Sequence, residues 1–304
     1  MAAQLRAVRA RIRAVKSIAK ITRAQELIAS SRIVRAQQRT RAAEPYAREL
    51  TTAVEAVVSR SSATINHPMI SEPAAVKRSA AFIITSDGGF CGAYNANVLR
   101  EATRLRERNR ENGVATANYV AGRKGIGWHR FRDLPIEQEW SGFSAQPTYA
   151  QAEEVAAALL DAFEKDAADG GIDEIYLVST EFISMLTQRP AVRRLLPLQI
   201  EEKEGERPGG ALPSYEFEPS TDVVLDALLP QYIASRIYYA MLEAAASELA
   251  SRRRAMKAAT DNANDLLDRL TREANNARQA EITQEISEIV GGSNALAEAN
   301  AGSE

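Results

Sequence analysis

Apolar residues near the N-terminus recur with helical spacing. Leu5, Val8, Ile12, Val15, Ile18 and Ile21 follow one another at steps of three or four, and Leu27, Ile28 and Val34 extend the stripe. This is the period of an amphipathic helix, here on a surface otherwise crowded with arginine. The pattern resumes beyond Glu44–Pro45 at Leu50, Val54, Val57 and Val58, then fades into Ser59–Pro73. Toward the C-terminus the repeat is stricter. Leu242, Leu249, Met256, Ala263, Leu270 and Ala277 are spaced by seven, and Ala246, Thr260, Leu267 and Ala274 fill a second seam position, with Arg253 as the exception. A sustained seven-residue repeat predicts a left-handed coiled coil. Its many alanines predict a close, thin pairing.

The helix breakers agree with this reading. All 11 prolines lie between Pro45 and Pro230 and all 16 glycines between Gly88 and Gly302, so residues 1–44 and 231–290 contain neither. Glycine costs backbone entropy in a helix, and proline lacks an N–H and clashes with the preceding turn. Two breaker-free ends predict two helices, of about 65 Å and about 90 Å at 1.5 Å per residue. The middle alternates differently. Ala80–Thr85 is a short β-branched run, followed by the glycine turn Asp87–Gly92 and a helical stretch through Arg108. Ala117–Ala121, Ile136–Trp140 and Glu174–Ser179 are further candidate strands, Tyr149–Asp166 reads as a helix, and Glu202–Pro219 reads as a loop or hairpin. Strand, turn and helix in succession predict an α/β domain with a mainly parallel sheet. The expected organisation is a coiled-coil helix over 1–58, a linker over 59–78, an α/β domain over 79–219, a second coiled-coil helix over 220–291 and a tail over 292–304.

Charge sharpens the pairing. Residues 1–41 carry 11 Arg and Lys against one acid, Glu26, whereas residues 221–304 carry 8 basic and 13 acidic residues. A basic rod beside an acidic one favours an antiparallel pair, although exposed ion pairs contribute only about 0–1 kcal/mol each. No apolar run approaches the length of a membrane span. A lone Cys91 rules out an internal disulfide and fits a reducing compartment, with the cytoplasm as default.

Candidate chemistry is sparse. The phosphate loop G-x-x-x-x-G-K-[ST] is absent, and Gly122-Arg-Lys-Gly-Ile-Gly127 lacks a third glycine at the dinucleotide spacing, so it reads as a strand-to-helix turn. Ser86–Gly92 lies beyond a strand's carboxyl end, where ligands often bind in such folds; its alternative reading is a tight turn needing positive φ. Cys91 has no sequence partner, His67 and His129 are the only histidines, and no Cys/His pair has metal-ligand spacing. The basic rod would attract nucleic-acid phosphates, yet it has no aromatic residue before Tyr46 to stack on bases.

The segment Met256–Leu296, MKAATDNANDLLDRLTREANNARQAEITQEISEIVGGSNAL, resembles the C-terminal signature of the gamma subunit of F-type ATP synthases. Ile12–Gln38, with ITRA at Ile21–Ala24, resembles that family's N-terminal helix, and Ser86–Asn95 its glycine-rich turn, usually SDRGLCGGYN. Gly88, Phe90 and Ala93 depart from the turn, and Gln25, Glu26 and Leu27 stand where Met-Lys-Met is usual. The chloroplast members' redox cysteine pair has no counterpart in a chain with one cysteine.

The resemblance implies an antiparallel coiled coil plus a central Rossmann-like α/β domain, working as a non-catalytic rotor. Its implied partners are a surrounding hexamer of alpha and beta subunits, epsilon and the membrane c-ring, at the cytoplasmic face of the plasma membrane, with no cofactor, no nucleic acid and no membrane span of its own. It places Arg278, Gln279 and Thr283 against the beta subunit's catch loop. Ile282, Ile286, Ile289 and Val290 become an axle tip, which is compatible with their also continuing the coiled-coil seam. Arg252, Arg253, Arg254 and Lys257 become a basic collar facing beta, or a solvated charge run. Two rival readings remain: a coiled-coil scaffold whose α/β globule binds a small ligand, and a nucleic-acid-binding protein using the basic rod.

Overall fold

The structure, a computed structural model, describes residues 2–61, 67–166, 169–198 and 221–301. Two helices dominate it: α1, Ala2–Ser61, and α5, Thr221–Ala301. Between them lie β1 (Arg78–Ile84), α2 (Tyr94–Glu111), β2 (Ala115–Ala121), α3 (Arg123–Phe131), β3 (Gln138–Trp140), α4 (Tyr149–Glu164), β4 (Glu174–Phe182) and β5 (Gln188–Leu196). The expected loop over Glu202–Pro219 lies outside the described residues.

The five strands form one sheet in the order β3-β2-β1-β4-β5. β1 is parallel to β2 and β4, β2 is parallel to β3, and β5 runs antiparallel to β4. Alternate residues of the central strand serve opposite faces, as the pleat requires. Ala80, Phe82 and Ile84 pack with α4, the end of α1 and the start of α5; Ala81 and Ile83 pack with Val98, Leu99, Ala102 and Leu105 of α2 and Ile126 of α3. α4 begins with a capping box in which the Thr148 hydroxyl accepts from the Gln151 amide and the Gln151 side chain accepts from the Thr148 amide.

β5 escaped the sequence reading. Its segment, QRPAVRRLL, shows no alternation and contains Pro190, which is tolerated because β5 is an edge strand. Arg189 and Arg193 both reach the buried Glu181 of β4, so the polar residues that hid the strand also hold it.

The buried seam of α1 differs from the expected stripe. It runs through Leu5, Val8, Ala19, Thr22, Glu26, Ala29, Ile33 and Ala36, with half-buried Ile12 and Val15 between Val8 and Ala19. Steps of three and four alternate throughout. By contrast, the three successive steps of three from Ile12 to Ile21 turn a stripe by about 180° around the helix. Ile33 is 1% exposed, whereas Ile21 is 62% exposed and Ile18, Leu27, Ile28 and Val34 are exposed with it. Alanine, threonine and glutamate line the coil where the bulkier residues were expected.

Both helices also run through residues that usually stop helices. Pro45 is accommodated in α1, where Arg41, whose carbonyl loses its intrahelical donor, is exposed to water. Gly291 and Gly292 lie within α5, neither at positive φ, so no left-handed cap forms and the helix continues to Ala301 through the expected tail. Glycine costs a helix only about 1 kcal/mol.

Close contacts divide the chain into two compact units, Met1–Ile28 with Arg254–Glu304, and Ala29–Arg253. The division cuts across both long helices rather than separating helices from sheet. In the second unit Ile33 and Ala36 of α1 pack on Ala246, Leu249 and Ala250 of α5, while Val54 and Val57 join the cluster holding Leu225, Leu229 and Ile233. Later α1 residues meet earlier α5 residues, so the pair is antiparallel. In the first unit, the Thr22 and Thr260 hydroxyls hydrogen-bond across the seam at 2.7 Å.

Candidate partner-binding surfaces and the joint at the sheet edge

At the carboxyl edge of the sheet, both glycine motifs fold against each other. The first amides of α3 would be an anion site if free. Here Arg123 N–H donates to Asp87, Lys124 N–H to the Ser86 carbonyl and Gly125 N–H to the Thr85 hydroxyl. A side chain at Gly122, whose φ is +100°, would come within 2.3 Å of the Thr85 carbonyl oxygen. These glycines therefore allow β1 and α3 to approach closely. In the turn Ser86–Gly92, Gly92 takes positive φ and so does Phe90.

Asp87 ties this edge together. Its carboxylate accepts from the amides of Arg123, Gly142 and Ser144, with the Arg123 guanidinium 3.7 Å away. Burial alone would raise this carboxyl; the amides of Ser144, Gly142 and Arg123 outweigh it and hold the group below its ordinary range. A small hollow bounded by Gly122, Phe143, Ser144 and Met241 lies against Asp87.

The other titratable candidates serve as structure. Cys91 is buried, and its sulfur accepts from Asn95. His129 is buried with its Nδ1–H donating to the Gly125 carbonyl, and burial pushes its pKa down. His67 accepts the Met69 amide at Nδ1 and meets Asp226 through Nε2. Among the described residues, no group of three His, Cys, Asp or Glu side chains could hold a metal ion.

Segment 246–252 of α5 has two working faces. Ala246, Leu249 and Ala250 pack on α1. Ser247, Glu248, Ser251 and Arg252 instead turn toward the sheet: the Ser247 hydroxyl donates to the Thr180 carbonyl, and the Ser251 hydroxyl to Gln188. The Glu248 side chain is 2% exposed and receives Arg252 Nη2 at 2.6 Å, while Arg252 Nε donates to the Gly89 carbonyl at 3.2 Å. Burial pushes the Glu248 carboxyl up, despite the nearby Arg252 guanidinium and Ser144 hydroxyl. Sequence reasoning missed this joint. Its available signal was a Glu–Arg pair at i, i+4, the favourable order, in an otherwise alanine-rich stretch.

The four residues of the expected collar lie in different surroundings. Arg252 has a side chain only 14% exposed and is committed to Glu248 and the turn, because its reach from α5 matches the bare backbone at Gly88 and Gly89. Arg253 is half-buried, Arg254 is exposed, and Lys257 is exposed and paired with Asp261 at 3.1 Å. Of the four, Arg254 and Lys257 are the ones exposed.

Farther along α5, Arg278, Gln279 and Thr283 are exposed, the Thr283 hydroxyl donating to the Gln279 carbonyl within the helix. Ile282, Ile286, Ile289 and Val290 are exposed as well. In the same unit Ile18, Ile21, Leu27 and Ile28 of α1 stand outside the seam. Exposed apolar residues mark an interaction surface where they form a contiguous patch of more than roughly a few hundred Å². Chemically the unit offers apolar side chains interleaved with Arg278, Gln279 and Thr283 and with the carboxylates of Glu281, Glu285 and Glu288. No helix among the described residues is long and apolar enough to cross a membrane.

The fold has two long antiparallel helices separated in the chain by an α/β sheet, with large apolar side chains exposed on both helices. Residues 4–296 match the family described as ATP synthase. The ATP synthase gamma chain of Acidothermus cellulolyticus is 58% identical over 296 residues, 97% of this chain and 98% of that one. The gamma chain of Thermobifida fusca is 55% identical over 100% of both. The chain belongs to the ATP synthase gamma-chain family.

Solved structures agree in fold. A chain from the OSCP, F1 and c-ring structure of the Euglena gracilis mitochondrial ATP synthase matches with TM-score 0.67 at 15% identity, over 97% of this chain and 95% of that one. A chain from the central stalk and c-ring structure of the Tetrahymena thermophila enzyme matches with TM-score 0.58 at 23% identity, over 79% and 99%.

Proposed function

We propose that this chain is the rotating central shaft of a proton-translocating ATP synthase, and that it is not itself catalytic. The observation that carries the reading is the exposed apolar surface of the unit formed by the two helix ends, where Ile18, Ile21, Ile282, Ile286 and Ile289 lie outside the seam. A coiled coil that leaves such residues bare requires a protein sleeve, and a ring of alpha and beta subunits is the sleeve its family implies. The α/β unit would bind epsilon and the c-ring, which places the chain peripherally at the cytoplasmic face of the plasma membrane. Rotation of the ring would turn the shaft, and the shaft's asymmetric surface would drive beta subunits through their nucleotide states.

In this reading Arg278, Gln279 and Thr283 hydrogen-bond to the catch loop of a beta subunit. Bonds to charged groups contribute about 1.5–3 kcal/mol, enough to make subunit closure depend on shaft angle. Arg254 and Lys257 would face acidic groups on beta. Co-expression with alpha and beta subunits, followed by sizing and an ATPase assay, tests the assignment: co-elution with an active hexamer is expected, and a chain that stays separate overturns it. Gln279→Ala is expected to change turnover of the assembled complex while unfolding of the isolated chain shifts by less than about 0.5 kcal/mol.

A further inference from the structure

We infer that Glu248 and Arg252 are positioning residues that lock the rotation of α5 to the α/β sheet, so that torque passes between them. The inference rests on the shaft reading and adds the place where force enters the C-terminal helix.

Three observations converge on these residues. First, the geometry forms a bracket. Arg252 is held at one end by Glu248 on its own helix and at the other by the Gly89 carbonyl of the turn after β1. The turn is in turn fastened to the sheet edge, since Asp87 N–H donates to Ser144 and the Asp87 carboxylate accepts from Gly142 and Ser144. Ser144, in the β3–α4 loop, thus holds the Asp87 backbone and carboxylate at once and fixes the turn that Arg252 reaches.

Second, the turn's composition fits this bracket. A Cβ placed on Gly88 would lie 3.0 Å from Arg252 Nη2, so the guanidinium rests against bare backbone.

Third, Ala246, Leu249 and Ala250 meet α1 through apolar contacts alone, so on this face of α5 no directional bond fixes the helix. A charge-assisted hydrogen bond has both length and angle, and resists rotation about the helix axis. Glu248 and Arg252 are a pair of this kind anchored to the sheet edge, nearly buried where α5 leaves the unit that contains the sheet.

The test uses the whole complex assembled with wild-type or variant chain in proton-tight vesicles, reading ATP hydrolysis and ATP-driven proton uptake together. Arg252→Gln is expected to leave hydrolysis within about twofold of wild type while protons moved per ATP fall several-fold. Glu248→Gln should give a smaller fall of the same kind. Rescue separates a mechanical role from simple destabilisation. In a Gly88→Cys, Cys91→Ser, Arg252→Cys chain, bridging the two thiols with a short bifunctional reagent should restore the ratio that the unbridged protein lacks. Wild-type ratios in Arg252→Gln overturn the inference, as does failure of the bridge to restore coupling. If Arg252→Gln does not assemble, Glu248→Gln decides in the same way. The outcomes also separate this inference from the shaft reading: a wild-type chain that never joins an ATPase removes both, whereas a coupled wild type with an equally coupled Arg252→Gln removes only the bracket.

Discussion

Helix α5 meets two environments along its length. No described side chain from Tyr232 to Arg253 is exposed, and none from Thr271 to Ser293 is buried. The first stretch is wedged between α1 and the sheet and is a core element in helical form. The second keeps the helix but not the cover. The difference separates residues that hold this chain together from residues that this chain leaves bare. An amphipathic period alone does not distinguish them, because a seam and an interface use the same apolar side chains.

The sharpest way to break this comparison is truncation on each side of it. Ile237 is fully buried among the sheet-facing cluster. Ile237→Ala is expected to lower the unfolding free energy by about 4 kcal/mol, from lost transfer energy and the cavity left behind. Ile289, 71% exposed, should shift it by less than about 0.5 kcal/mol when replaced by alanine, yet weaken assembly with the hexamer. Equal effects in urea titrations would erase the distinction.

A smaller effect is expected from Ala259→Pro in the unit of the helix ends. It should cost about 3 kcal/mol of helix stability and uncouple proton flow from ATP synthesis. Wild-type coupling would count against a stiff shaft.

Asp87 tests the sheet edge through pH. Its folded pKa is depressed, so its contribution is fully present above the unfolded value, near about 4, and is lost as pH falls through the folded one. Asp87→Asn should cost about 1–2 kcal/mol at neutral pH and remove that part of the acid sensitivity. Acid titrations of the two proteins that stay parallel would show that the carboxylate is not the source.

The smallest effect belongs to the polar layer of the seam. Thr22→Val or Thr260→Val alone should cost about 1 kcal/mol by breaking the bond across the seam, the remaining hydroxyl keeping the carbonyl of its own helix (Ala19 for Thr22, Met256 for Thr260), and the double variant less than the sum. A strictly additive cycle would mean that the two hydroxyls act independently.

Much of the architecture was legible because it follows from period and punctuation. The two long helices, four of the five strands and the parallel order of the sheet are written in apolar spacing and in glycine turns. What escaped depends on long-range partners. The α1 seam chose Ala19, Thr22 and Glu26 over Ile18, Ile21 and Leu27 because the geometry of winding, not residue hydrophobicity, decides which flank faces the partner. β5 was hidden because its arginines answer Glu181 on the neighbouring strand. The Arg252 joint was read as outward charge, since nothing local indicates that a carbonyl 163 residues away will accept its proton.

The pairing of Thr22 with Thr260 across 238 residues has a consequence for biosynthesis. As the polypeptide leaves the ribosome, α1 is among the first segments to emerge, and the seam stays open until α5 has been translated. For most of that interval the seam flank of the first helix, from Leu5 to Ala36, has no mate, and non-local closure of this kind is slow. Closing the coil is therefore a late event, which waits on the synthesis of α5.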